Sequence, residues 1–499
     1  MKTPNTKAQR TSAGPCLSLD VVQRPNIVLI TLDQFRGDCL SAAGHPLVQT
    51  PNLDALTAEG VRLARHYSQA APCGPGRAAL YTGTYQFNNR VVANGTPLDA
   101  RFDNVALAAR RGGYIPTLFG YTDQSIDPRL VADRTDERLY TYEGVLPGFD
   151  VGLDLRHNHE PWLNWLRSLG HEVDPNAYIT LRTEPTRAAE HSVSAFVTNE
   201  AMSWIARQDR PWFAHLSYLR PHPPYAAAGT WSTFYDPDDV GEPISASPMG
   251  HPFHDAVRGH REFAAPADEA KWRKLRAQYF GMVSEVDSQL GRLWQMLRDS
   301  GQWDNTFIVV TADHGEQLGD HGLINKVGFF ESSYHVVGIV RDPTQPHTHG
   351  NTVQHFTENV DILPTLCTAM GVATPAQADG CALQPLLQGD TTGWREAAHW
   401  EYDWRDWYIN GLLEGDALDQ QNLAVLRNDS TAYVHFGDGS WRCFDLAADP
   451  TWRTEVTDPA IVLVCAQAML TWRSRHSDRT LTGLLLSADG PRGRWPQML

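Results

Sequence analysis

The chain predicts an α/β fold: a large, mostly parallel sheet sandwiched by helices, with a smaller C-terminal subdomain that bears an antiparallel sheet. Three observations predict it. Short, near-continuous apolar runs rich in β-branched residues recur between residues 26 and 311, as strands buried on both faces require. Windows with apolar residues at helical spacing separate them. After about residue 385 the character changes to short strands joined by a Gly437-Asp438-Gly439 turn.

In order along the chain, residues 1–24 read as a polar extension, because no apolar core precedes a small-residue cleavage site. Residues 25–383 read as the α/β domain and 384–499 as the C-terminal subdomain. The predicted strands are 26–31 (NIVLIT), 114–120 (YIPTLFG), 212–218 (WFAHLSY) and 306–311 (TFIVVT). Each runs into polar residues: Asp33-Gln34, Tyr121, Arg220-Pro221-His222 and Asp313-His314-Gly315. Ligands of open α/β sheets gather beyond such carboxyl ends. Helices are predicted at 52–59, 104–111, 192–207 and 271–300, the last with a long apolar face and no chemistry assigned. A loop-rich insertion spans 123–190. Another, 223–266, is rich in Pro, Gly and His and is placed to line or cover a site. Residues 433–436 and 441–444 form the predicted hairpin, and 461–475 a closing helix.

Composition excludes several classes. A net charge of −16 argues against a nucleic-acid footprint, although a local positive site for a small anion is compatible with it. No apolar run reaches 18 residues, so no membrane span is predicted. Seven scattered cysteines, an odd number without metal-type C-x-x-C spacing, fit a reducing compartment and a cytoplasmic setting.

The chemistry centres on 73–83, CGPGRAALYTG. Pro75 suits an early helical position, and Gly74 and Gly76 allow backbone to approach a ligand. A helix start favours an anionic group. Asp33 and Asp313 offer hard oxygens to a divalent cation, and His314 admits manganese, iron or zinc as well.

The segments T-x-D-Q-x-R, C-x-P-x-R and D-H-G-E-Q-L-G-D-H-G-L-x-x-K, in this order, resemble the sulfatase superfamily, which has the alkaline phosphatase-like fold. APCGPGRA, the GYT after Phe119, YLRPHPPY around His222 and WRSRHSDRTLTG near the end are similar to the phosphonate monoester hydrolase and arylsulfatase branch. The resemblance runs from about Pro25 to about Gly483. It implies that Cys73 is oxidised by a formylglycine-generating enzyme. The aldehyde hydrate then attacks a small anionic ester, either a sulfate monoester or a phosphonate monoester or phosphodiester. It further implies one divalent ion (manganese, calcium or zinc) on Asp33, Gln34, Cys73, Asp313 and His314. Arg77 would hold the nucleophile, Lys326 would neutralise the transferring oxygens, and His222 would be the general acid. Tyr121, Asn94 and Thr122 would bind substrate. From their place beside the metal motif, His321 and Glu316 read as structural or orienting. A homo-oligomer, dimer or tetramer, is implied with the C-terminal segment as contact.

Two departures from common sulfatases remove charge: Gln34 replaces a second carboxylate, and Tyr121 replaces the lysine of a G-K-W-H segment. Asp123 adds a carboxylate where that branch has a neutral hydroxyl residue, which bears on substrate preference. Two other readings remain: a cysteine phosphatase with Cys73 as thiolate, and a non-catalytic metal-containing binding protein on the same fold.

Overall fold

β1 (Asn26–Leu32) runs through the interior of an eight-stranded sheet in the computed structural model, which describes residues 24–156, 158–246, 251–405, 417–478 and 480–493. The other strands are β2 (Val61–Tyr67), β3 (Pro116–Gly120), β4 (Asp150–Asp154), β5 (Phe213–Tyr218), β6 (Thr306–Thr311), β7 (Gly338–Arg341) and β8 (Asn351–Glu358). Their order is β4-β3-β5-β1-β6-β7-β2-β8. All pairings are parallel except those of β7, which runs against both β6 and β2. All but Arg24 of the predicted polar extension lies outside the described residues.

The apolar runs form strands because both of their faces are covered. Val28, Ile30 and Leu32 enter one core with the helices Val193–Ile205 and Glu269–Asp299. Ile27 and Leu29 enter the other with Val105–Arg111 and Ile362–Met370. β6 divides in the same way, Ile308 and Val310 against Phe307 and Val309. Alternation along a strand thus feeds two cores, and a near-continuous apolar run results.

The four predicted strands are β1, β3, β5 and β6, which are adjacent in the order β3-β5-β1-β6. β3 starts two residues later than predicted, since the Tyr114 N–H caps the preceding helix at the Ala109 carbonyl. The long helix begins at Glu269, where the Asp268 carboxylate accepts from the Lys271 N–H. The insertion 123–190 is more than loops: it supplies the edge strand β4 and the helices Glu160–Ser168 and Ala177–Arg182.

The C-terminal sheet has four antiparallel strands rather than one hairpin: β9 (Ala398–Asp403), β10 (Asn422–Arg427), β11 (Thr431–Phe436) and β12 (Trp441–Asp445). The predicted turn joins β11 to β12, with Gly439 at φ 88°, a conformation glycine adopts without strain. The closing helix is Pro459–Arg475, and a short hairpin of β13 (Leu484–Ser487) and β14 (Gly490–Gly493) follows.

Candidate active site

Cys73 is the first residue of the helix Cys73–Thr82, every residue of which is buried. Pro72 offers no capping side chain, so Asn94 serves from outside: its Oδ1 accepts from the Gly74 N–H at 2.8 Å. Gly76 sets how close the helix comes to the sheet. A Cβ there would lie 2.4 Å from the Asp313 carbonyl oxygen and 2.9 Å from that of Ala70.

The helix start therefore meets the ends of β1 and β6. Side-chain donor atoms of Asp33, Cys73, Asp313 and His314 all lie within 4.8 Å of one another, and all four residues are buried. His314 Nε2 is 3.2 Å from Cys73 Sγ, while His314 Nδ1 is 3.0 Å from the Gly315 carbonyl. That contact makes Nδ1 the N–H and leaves the Nε2 lone pair directed inward. Burial and Lys326 lower the His314 pKa to about 3, so the ring is neutral, as a metal ligand must be. Burial and Asp33 push Asp313 up to about 7 against the pull of Arg77. Asp33 stays below the usual carboxylate range despite burial, held there by His222, Arg77, His314 and Lys326. Two buried carboxylates in mutual repulsion beside a neutral imidazole fit a divalent cation by both charge and donor type. Gln34 joins this group through its backbone N–H, which donates to Asp313 Oδ1, while its side-chain Oε1 accepts from Lys326 Nζ at 2.7 Å.

Arg77, expected to hold the nucleophile, contacts the carboxylates in this structure. Its Nε donates to Asp313 Oδ2 (2.9 Å) and its Nη2 to Asp33 Oδ2 (3.1 Å). Its Nη1 reaches Ser217 Oγ (2.7 Å), the Tyr121 carbonyl (3.1 Å) and the Tyr81 hydroxyl (3.3 Å). The guanidinium thus grips the carboxylates and not residue 73, because it projects into the sheet end, where they are the nearest acceptors. Tyr121 lines the cavity, but its hydroxyl donates to Asp33 Oδ2 at 2.7 Å. Thr122 is turned away: its hydroxyl donates to the Gly144 carbonyl and accepts from the Leu146 N–H, which fixes the insertion to the sheet.

His222 Nδ1 lies 2.8 Å from the Pro223 carbonyl and Nε2 lies 2.8 Å from Lys326 Nζ. Nδ1 therefore carries the hydrogen, and Nε2 accepts from the ammonium. Burial and Lys326 push the His222 pKa down to about 3, so in this arrangement the proton resides on Lys326. The Cys73 thiol is pushed well above its ordinary value by burial and by Asp33. It stays protonated, which counts against the thiolate-phosphatase reading.

The cavity above Cys73 holds about 260 Å³. Asp33, Asn94, Tyr121, Asp123, His222 and Lys326 supply its polar lining, and Tyr142, Leu155, Tyr178, Leu181 and Leu219 its apolar and aromatic wall. The wall comes largely from the insertion 123–190, whereas of the described residues in 223–266 only Pro223 lines it. Sequence reasoning assigned no residue to this wall, since Tyr142 and Tyr178 stand in no motif. Nor did it foresee Ser217 under Arg77, which the inward alternation of β5 could have revealed. Asp123 has a left-handed backbone (φ 49°) and lies 3.6 Å from Arg77 Nε. Burial pushes its pKa up to about 7, against Arg77 and reinforced by Asp33. Near neutral pH it carries only part of a charge, which lessens its repulsion of an anionic ester.

Fold and site together define a hydrolase of the sulfatase class. The sulfatase family model matches residues 25–372, and the chain belongs to that family. A second model, "N-sulphoglucosamine sulphohydrolase, C-terminal", matches residues 319–469. A "Multifunctional alkaline phosphatase superfamily protein PehA" from Trinickia caryophylli is 36% identical over 94% of this chain and 98% of its own. An arylsulfatase of Clostridium perfringens is 26% identical over 86% of this chain and 89% of its own. Among solved structures, the phosphonate monoester hydrolase of Agrobacterium radiobacter matches with a TM-score of 0.87 and 42% identity, covering 95% of this chain and all of that one. That of Silicibacter pomeroyi matches at 0.86 and 34%, covering 94% and 99%.

Proposed function

We propose that the protein is a formylglycine-dependent metallohydrolase of phosphonate monoesters and phosphodiesters, with sulfate monoesters as further substrates. The observation that carries this reading is Cys73 at a buried helix start, in contact with His314 and adjacent to Asp33 and Asp313. The absence of a second carboxylate at Gln34 and of a lysine at Tyr121 supports the phosphonate side, as do the two phosphonate monoester hydrolase structures. The sulfatase family match and the arylsulfatase relative support sulfate.

Oxidation of Cys73 to formylglycine would supply, as the hydrate, the hydroxyl that attacks phosphorus or sulfur. A divalent ion on Asp33, Gln34, residue 73, Asp313 and His314 would supply Lewis-acid charge. The other residues hold and protonate. Arg77 fixes both carboxylates, and Asn94 fixes the helix start. Lys326 brings positive charge to the cavity and, with His222, delivers one proton to the departing alcohol. Tyr142, Tyr178 and the leucines of the apolar wall exclude water from an apolar or aromatic leaving group.

Cys73 is only 6% exposed, which supports modification by a maturing enzyme before the helix is packed. The thiols of Cys39, Cys73, Cys367, Cys443 and Cys465 support a reducing, cytoplasmic setting; no helix among the described residues is long and apolar enough to cross a membrane. Leu463, Val464 and Leu470 form an exposed apolar stripe on the closing helix, which supports a homo-oligomer. Light scattering should give the mass of a dimer or tetramer, and a monomer mass overturns this.

The function is tested by weighing the peptide that contains residue 73 after expression with the maturing enzyme. Fully active protein with an unmodified thiol overturns the mechanism. Kinetics on matched phenylphosphonate and aryl sulfate esters then rank the two substrate classes.

A further inference from the structure

Gln34 is fully buried and held through both its backbone and its side chain. Its backbone is left-handed (φ 70°), its N–H donates to Asp313 Oδ1 (3.2 Å), and its carbonyl accepts from the Tyr279 hydroxyl (2.7 Å). Its side chain spans two groups of opposite charge. The amide nitrogen donates to Glu316 Oε2, and the amide oxygen accepts from Lys326 Nζ. The reverse orientation would set oxygen against a carboxylate and NH₂ against an ammonium, so its neighbours permit one orientation only.

Glu316 has no exposed surface and does not line the cavity. Its Oε1 accepts from the backbone N–H groups of Asn325 (2.7 Å) and Leu318 (2.9 Å). Its Oε2 accepts from the Tyr225 hydroxyl (2.9 Å) and from Gln34. The carboxylate that is missing beside Asp33 is thus present one side chain further out, with a neutral amide between it and the site.

We infer that Glu316 is a positioning residue, which turns the Gln34 amide oxygen toward Lys326 and the cation site and thereby seats the Lys326 ammonium at the cavity wall. The cation half of this inference rests on the metal reading proposed above. Without Glu316 the amide nitrogen loses its buried acceptor, and only the Lys326 ammonium is left to hold the oxygen toward it.

The test is a double-mutant cycle of Glu316→Gln and Gln34→Glu. In Glu316→Gln, the new Oε1 keeps the two backbone N–H groups, but its NH₂ faces the NH₂ of Gln34. In Gln34→Glu, two carboxylates face each other. In the double variant a donor again meets an acceptor, and Lys326 again faces an oxygen. Two readouts are taken, Mn²⁺ affinity of the apo-protein by titration calorimetry and kcat and KM of the matured enzyme, with melting temperatures to verify folding. Glu316→Gln is expected to weaken Mn²⁺ binding roughly 10- to 100-fold in the native background. In the Gln34→Glu background it should strengthen binding instead, and kcat should follow the same reversal. The same effect in both backgrounds overturns the inference and leaves the metal reading intact. If the native protein binds no Mn²⁺, the metal reading falls, and the kcat cycle alone decides: a reversal of sign sustains the positioning role and additivity overturns it.

Discussion

Arg77 has no exposed surface and makes five hydrogen bonds, two of them to the carboxylates of Asp33 and Asp313. Its ring partner Tyr121 lies 4.4 Å below the guanidinium. Only a planar fork reaches all these acceptors from one helix position, and a lysine ammonium on a flexible stem does not. Arg77→Lys should therefore lower kcat/KM by at least about 100-fold, since both carboxylates lose their fixed orientation. It should also cost roughly 3–5 kcal/mol of stability, because a buried charge network is left partly unpaired. Steady-state kinetics and a denaturant melt check this, and a variant with near-native values for both would assign Arg77 to packing alone. At this scale the identities of Asp33, Cys73, Asp313, His314, His222 and Lys326 were legible, because strand ends and a motif placed them. Their partners were not. That Tyr121 spends its hydroxyl on Asp33, or Thr122 on Gly144, depends on side-chain direction and on neighbours distant in sequence.

At the scale of elements, legibility followed burial. β1, β3, β5 and β6 are sealed on both faces and read as apolar runs. β2, with the sequence VRLARHY, carries basic residues where it meets solvent, and β8, an edge strand, exposes half of NTVQHFTE. Their apolar content alone does not mark them as strands; pairing with each other, and of β2 with β7, makes them so. β7 is only four residues long and reverses the sheet direction, which no local pattern announces. Helix ends moved where a cap chose them. Asn104 accepts from the N–H groups of both Ala106 and Leu107, and Asp268 starts the long helix two residues before its first predicted residue. The site was legible because it rests on the sealed strands, and its apolar wall was not because that wall belongs to the insertion.

At the scale of the whole molecule, the C-terminal sheet braces the candidate site. The Glu401 N–H donates to the Gln69 carbonyl, four residues before Cys73. The Glu401 carboxylate accepts from the Phe87 N–H (2.7 Å) and from Arg473 of the closing helix (2.8 Å). One residue of β9 thus ties the approach to Cys73, the segment beyond its helix and the C-terminal helix together. Beside it, Trp400 has no exposed surface. Its ring stacks on Tyr67 of β2 (5.5 Å, 7°) and on Tyr334 (5.1 Å, 18°), and its Nε1 donates to the Phe329 carbonyl (3.1 Å). The aromatic layer around it draws on both sheets, with Phe356 from β8 and Phe436 and Phe444 from β11 and β12. Two sheets that share one core lose it together, so calorimetry should show a single unfolding transition. Trp400→Ala should move that whole transition to lower temperature, at a cost of roughly 3–5 kcal/mol. Two separate transitions, only one of them shifted by the substitution, would instead mean that the C-terminal subdomain folds on its own. The Glu401 contacts would then bind two independently stable units and not one.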